Sequence, residues 1–341
     1  MSTELYPFDR FGDGHNYDFG KEHINERNWL ITEIIKPELP NIIDNVEKCL
    51  NMLNSDQIFK LPISNGSASS SDNSPTIKGV VTRQGPFILD FQAMLRFPDF
   101  RKGKQVLYRM NTGRKFPLVQ LGTINSNLSK ILKSLEDLEV LDDIEKFISD
   151  LGGVLRLITN SINTLQNPPR ELIFPYNDNF TMKHMFQNCE TLCDSTHHEV
   201  SLELVLFKNE LSIDFRNLTK ITKKPWCYID PETGKSLVDK IKEQLGSNRT
   251  KSLSDILKAN GIQIEEPSLL NSLVMTTFNT EATTIPQAQT FISRCVTFNN
   301  KVVMETEKIA ITTSDPTLIS ISSKLNALEH SISNHYSNLV I

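Results

Sequence analysis

Cysteine is scarce in this chain. Five occur among 341 residues, at positions 49, 189, 193, 227 and 295. An odd, scattered set builds no disulfide framework and fits a reducing compartment. Long apolar runs are absent: nothing reaches the roughly 18 residues that a membrane-spanning helix needs. Met1 to Asn28 is polar and acidic, with Gly12 and Gly14. It lacks the basic and apolar regions of a signal peptide and reads as a flexible lead-in over 1–25. Surplus positive charge is missing too, with 36 Lys and Arg against 41 Asp and Glu. That argues against a nucleic-acid binder, which would carry a basic face. There is no Gly-x-Ser-x-Gly elbow and no His-Glu-x-x-His pair. What remains is 38% hydrophobic and 23% charged, ordinary for a globular chain with a real core. The length suits one large or two ordinary domains.

The strongest pattern is a stripe of Leu121, Ile124, Leu128, Ile131, Leu135 and Leu138, continued by Leu141, Ile144, Ile148, Leu151, Leu155, Ile158, Ile162 and Leu165. Alternating steps of three and four place these side chains on one helical face, the seam of a coiled coil or bundle. The phase slips where Asp137, Asp142 and Asp143 cluster. The spacing predicts a helical hairpin with arms near 122–139 and 143–166; the alternative is one long helix with a stammer. Gly152 and Gly153 weaken the second arm, and Pro168 and Pro169 stop it.

A second helical signal covers 26–54, on Ile31, Ile35, Leu39, Ile42, Val46, Leu50 and Leu53, widened by Trp29, Leu30, Ile34 and Ile43. Pro37 and Pro40 predict a kink or break between Lys36 and Asn41. Ser64 to Pro75 is a flexible loop. The period then changes to two. Leu89, Phe91, Ala93, Leu95 and Phe97 mark a half-buried strand, with neighbours at 77–82 and 106–110 and turns at Arg83–Pro86 and Arg101–Lys104. Leu172 to Phe174 reads as a short strand, and Ser201–Arg216 as a β-hairpin turning at Lys208-Asn209-Glu210. Lys224 to Tyr228 reads as an edge. Residues 230–270 read as a polar surface excursion with short helical patterns on Leu237, Ile241 and Leu245 and on Leu253, Ile256 and Leu257.

The last part reads as helical throughout. Phe291, Cys295, Phe298 and Val302 step by four, three and four. Asp315-Pro316 caps a final helix with Leu318, Ile321, Leu325, Leu328, Ile332, Tyr336 and Leu339 on one stripe. The fold class expected is α+β: a discontinuous antiparallel helical bundle from both termini and the middle, plus a separate antiparallel β-domain in which the two β blocks share a sheet. The bundle takes 26–60, the hairpin 119–168 and 285–341. The β-domain takes 76–118 and 169–284, and its exposed strand edges, with 230–270, are candidate docking surfaces.

Three constellations carry possible chemistry. Cys189, Cys193, His197 and His198 have zinc-compatible spacing, with only Cys227 and His184 to complete a set; one buried thiol and exposed loop histidines is the simpler reading. Gly234-Lys235-Ser236 has the tail of a phosphate loop, but Ile229 stands where its first glycine is required. Asp142, Asp143 and Glu145 are acids suited to a helix start. None converges on an active site, so no catalytic, cofactor-binding or metal residue is assigned.

One stretch carries a resemblance. Thr76 to Phe97 contains Ile77-Lys78-Gly79-Val80, Thr82 and Gln84-Gly85. With Trp29-Leu30, the zipper-like run from Leu121 and the Val200 to Phe215 hairpin, in that order, it resembles the Rogdi family of leucine-zipper-like proteins. The resemblance runs from about Trp29 to about Ile309 and departs at 230–270 and after Asp315. It implies a bundle joined to a β-domain and a non-enzymatic place in RAVE, a regulator of the vacuolar and endosomal proton-pumping ATPase. The implied partners are a large β-propeller-containing subunit, a Skp-type adaptor, and the peripheral and membrane sectors of the pump, whose reassembly is promoted. No cofactor is implied. A scaffold is therefore the leading expectation, beside a self-associating coiled coil and an enzyme built on the Cys/His group.

Overall fold

The computed structural model describes residues 19–66, 74–177, 184–187, 198–247, 252–265 and 283–340. The chain divides into two compact units. One holds Met1–Asn51, Asn125–Ile162 and Ser323–Ile341; the other holds Met52–Ile124 and Asn163–Ser322. The fold is α+β, with helices from both ends and the middle of the chain and antiparallel sheets, as expected.

The helices begin with α1 (Phe19–Trp29), a wide π segment (Leu30–Ile35) and α2 (Lys36–Leu53). No break falls between Lys36 and Asn41. Helix α2 runs on with Pro40 inside it, and the irregularity lies upstream of Pro37, where the Lys36 amide reaches back to Ile31 O. A five-residue turn there makes room for a ring that would crowd an α-helical carbonyl four residues back. Ile31, Ile35, Leu39, Ile42, Val46, Cys49 and Leu53 are buried, whereas Trp29 and Ile34 face solvent. Leu50 is half-buried, its seam position taken by Cys49.

The central hairpin forms as α3 (Val119–Glu139) and α4 (Ile144–Gln166), which excludes a single stammered helix. Asp143 caps α4, its carboxylate accepting from Lys146 N at 3.0 Å. The stripe from Leu121 to Leu138 is fully buried along α3, and on α4 the expected Leu151, Ile158, Ile162 and Leu165 are buried, with Phe147 and Val154 taking the place of Ile148 and Leu155. Ile148 and Leu155 are half-buried. A straight helix follows a period of about 3.6, and a strict seven-residue stripe drifts off its buried face. Because the α3 stripe is buried within one chain, it is not left free for pairing with a second copy. Asn127 donates to Ser161 at 3.2 Å between the two arms. Helix α8 (Pro316–Val340) lays Tyr336 over Gly152, where an added Cβ would sit 2.9 Å from Tyr336 Cε2. His335 Nε2 meets Glu38 at 2.8 Å, joining α8 to α2.

In the second unit, β1 (Ile58–Ser64), β2 (Thr76–Gln84), β3 (Phe87–Arg96) and β4 (Val106–Arg109) form one antiparallel sheet, with β5 (Phe116–Pro117) also on β3. Strand β1 adds an edge beyond the strands expected from the sequence. A bulge shifts the register between Thr82↔Asp90 and Arg83↔Ile88, so Ile88 is buried instead of Leu89. The turn is only Gly85-Pro86, and Arg83 belongs to the strand. The second sheet runs β10 (Cys295–Phe298), β11 (Lys301–Thr313), β7 (Glu210–Lys220), β6 (His198–Phe207). The two β blocks therefore do not share a sheet; they pack face to face, with Phe215 against Phe91 at 6.0 Å and Tyr108 at 5.5 Å.

Three further expectations fail. Leu172 ends a 3-10 turn (Arg170–Leu172) and begins no strand. Residues 295–313 are strands and not helix: Asn299 and Asn300 both take positive φ, the geometry of a tight hairpin turn. Residues 230–262 are no surface excursion. Helices α5 (Leu237–Ser247), α6 (Leu253–Ala259) and α7 (Ile285–Arg294) enclose a core of Val238, Ile241, Ile256, Leu257 and Ile262 around Trp226, which stacks on Phe291 at 5.0 Å. Lys224 to Tyr228 is thus a turn that anchors a buried tryptophan. The short parallel pair β8 (Ile264–Glu265) and β9 (Thr283–Thr284) completes the unit.

Candidate functional site

Among the described residues, buried charge is confined to two places in the sheet unit. Arg83, 1% exposed, sends Nε to the carboxylate of Asp315, 0% exposed. Its Nη1 donates to Gly85 O, and the guanidinium lies 5.0 Å over the Phe59 ring. The other Asp315 oxygen accepts from Thr317 N at 2.9 Å and caps α8. One carboxylate thus caps a helix and neutralises a strand arginine. A buried pair of this kind specifies geometry more than it stabilises.

The second place is on β6, β7 and β11. Arg216 reaches Glu203 at 3.3 Å, Asp214 at 2.8 Å and Glu305 at 3.1 Å, and stacks on Phe174 at 4.9 Å. Lys308 meets Asp214 at 2.9 Å. Both faces of β6 and β7 are covered, so the polar alternates Ser201, Glu203, Asp214 and Arg216 are buried where a half-buried hairpin would expose them. Burial pushes the Glu203 carboxyl above the usual carboxylate range, against the pull of the Phe174 amide and Arg216. A groove of about 500 Å³ opens here, lined by Phe174, Glu203, Phe207, Asp214, Arg216 and Ile311. Among the described residues the two cations that line it, Arg216 and Lys308, are both paired with carboxylates.

Strand edges were expected to accept partner backbone. The structure closes parts of each. Gln120 of α3 donates to Leu206 O at 3.0 Å and accepts from Leu206 N at 2.7 Å, blocking the β6 edge while also donating to Thr164 O. Gln187 N donates to Arg109 O at 2.8 Å and Asn111 N to Met185 O at 2.7 Å, covering the end of β4. Thr313 donates to Pro62 O at 3.1 Å on β1, and Lys242 to Cys295 O at 2.8 Å on β10. Closing edges this way is protection against unwanted pairing.

Of the proposed zinc ligands, Cys189, Cys193 and His197 lie outside the described residues. His198 opens β6, its ring beside Thr219 Oγ1 at 3.2 Å. Cys227 packs at the margin of the Trp226 core, and His184 O accepts from Asn111. Among the described residues no cluster of three or more His, Cys, Asp or Glu could hold a metal ion. Burial pushes the Cys49 and Cys295 thiols up to about 11, which makes both poor nucleophiles. Gly234-Lys235-Ser236 forms a turn in which Ser236 Oγ accepts from Asp239 N at 3.2 Å, an ordinary cap for α5. Asp142 and Glu145 pair with Lys36 and Arg27, each at 3.4 Å. Neither role, that of Arg83 or of Gln120, is legible in the sequence, because each has partners far away in the chain.

Residues 26–340 match the family described as Rogdi leucine zipper containing protein. The match runs through 230–270 and the last helix, both thought to depart from it. Among curated proteins, a Saccharomyces cerevisiae protein named Regulator of V-ATPase in vacuolar membrane protein 2 is 53% identical over 343 residues, spanning 100% of this chain and 97% of the yeast protein. Among the described residues no helix is long and apolar enough to cross a membrane.

Proposed function

We propose, since the chain belongs to the Rogdi leucine zipper family, that it regulates the vacuolar-type proton-pumping ATPase and does so without catalysis. The observation that carries this is identity at 53% across the whole chain, helices and sheets alike, with a relative named as a regulator of that pump. The finer reading is a subunit of RAVE. In it the chain joins a large β-propeller-containing subunit and a Skp-type adaptor and promotes reassembly of the peripheral and membrane sectors. It works from the cytoplasm, peripherally on vacuolar and endosomal membranes. The carboxylates gathered around Arg216 and the thiols of Cys49 and Cys295, both pushed up by burial, support a part without catalysis.

The test is co-isolation of the two sectors on vacuolar membranes. Cells lacking the protein should contain both sectors yet recover assembled pump poorly after the sectors separate. Adding back the chain should restore recovery, and a version with Cys189, Cys193, His197 and His198 all changed to Ser should restore it equally. Failure of that variant while folded and partner-bound would overturn the non-catalytic reading.

A further inference from the structure

With parts of each sheet edge closed, the outer face of β1–β4 is the more open surface. Register arranges its side chains in rows. Leu107 stands opposite Met94, and Met94 opposite Lys78. Two residues along, Arg109 stands opposite Gln92, Gln92 opposite Val80, and Val80 opposite Pro62. Leu107, Met94, Val80 and Pro62 therefore make an apolar diagonal across all four strands. It is open to solvent, with Leu107 55%, Met94 41% and Val80 42% exposed. Three inter-strand steps and one two-residue step along the strands give it a length of about 16 Å, matching roughly eleven helical residues.

Charge borders the diagonal on both sides. Lys78 lies on one flank and Arg109 on the other, with Lys60 two residues from Pro62 along β1. Among the described residues none of these three is in an ion pair. The single acid in these rows, Asp90, accepts from Gln92 at 3.0 Å. Three cations thus face one acid on this surface, in a chain whose net charge is −5.

We propose that this face docks an acidic amphipathic helix of a partner protein. The helix lays a narrow apolar stripe along Leu107, Met94, Val80 and Pro62 and sets Glu or Asp on both flanks against Lys78 and Arg109. Burying a sheet face under a helix is the usual two-layer solution, and apolar anchors at helical spacing are its recognition mode. A line of apolar groups between two cationic borders fits a rod better than a plane, which favours a helix over a lipid surface. The proposal stands independently of the role assigned above.

The test uses the full chain and a fluorescently labelled peptide of about 14 residues, with leucines at helical spacing and glutamates on both flanks. Anisotropy titration should show saturable binding that a scrambled peptide lacks. K78E/R109E and V80S/M94S should each weaken it about tenfold or more. K130E, on an exposed position of α3, should leave it unchanged. K78E/R109E should gain affinity for the same peptide carrying lysine flanks. All these positions are exposed, so far-UV circular dichroism should match the parent. Equal binding of the scrambled peptide, or parent-like binding by both double variants, overturns the proposal. So does sedimentation with phosphatidylserine vesicles that depends on Lys78 and Arg109 while the peptide fails to bind, since the face would then be a membrane contact.

Discussion

The two units solve burial in opposite ways. The helical unit buries apolar stripes, and its polar groups sit at the surface or bond from helix to helix, as Asn127 does to Ser161. The sheet unit buries charge. Arg83 meets Asp315 across 232 residues of sequence, and Arg216 gathers carboxylates from three strands. Stripes tolerate exchange of one hydrophobe for another of similar volume. Buried charges do not tolerate the loss of a partner, because an ion in a dry interior has nothing else to meet. The helical unit therefore tolerates exchange along its contacts, whereas the sheet unit carries within its apolar core a few charged positions that do not.

The largest expected effect tests that contrast directly. Asp315→Asn keeps a capping side chain but strands Arg83, and should cost about 3–5 kcal/mol, read from urea midpoints. Adding Arg83→Met should recover much of the loss. A double variant no better than the single one would erase the distinction between the units. In the bundle, Leu128→Ala removes a fully buried side chain and should cost about 2–5 kcal/mol. Leu155→Ala, at a half-buried position, should cost clearly less in the same measurement. Equal costs would restore the strict seven-residue seam. The smallest effect sharpens the packing picture. Gly153 has open space beside it, so Gly153→Ala should raise the thermal midpoint through helix propensity of up to about 1 kcal/mol. Gly152→Ala should gain less or lose, since its Cβ meets the Tyr336 ring.

Legibility in the sequence follows the same division. Local periodicity announced α3, α4 and α8 nearly to the residue, because an amphipathic helix records its buried face within a few turns. The cap at Asp315 was readable for the same reason, but its second role was not: nothing near Arg83 signals a partner in another element. Strands β10 and β11 were missed because Phe291, Cys295, Phe298 and Val302 happen to fall at helical spacing. The Asn299-Asn300 turn and the β-branched run after it were the better signal. The core around Trp226 was hidden by polar composition, since α5 and α6 each contribute only a few apolar residues to a shared interior. The outer face of β1–β4 could not be recognised until register aligned residues from four strands.

The Arg83–Asp315 pair also has a consequence for biosynthesis. The ribosome delivers Arg83 long before its counter-ion. At about 5–20 residues per second, the 232 residues between them take roughly 12 to 46 s to appear. Through that interval β2 carries a charge without its counter-ion, so this part of the sheet unit cannot close until Asp315 has emerged. A nascent chain stalled before Asp315 should hold its first β-hairpin open and exposed to chaperones, however well its helices have already formed.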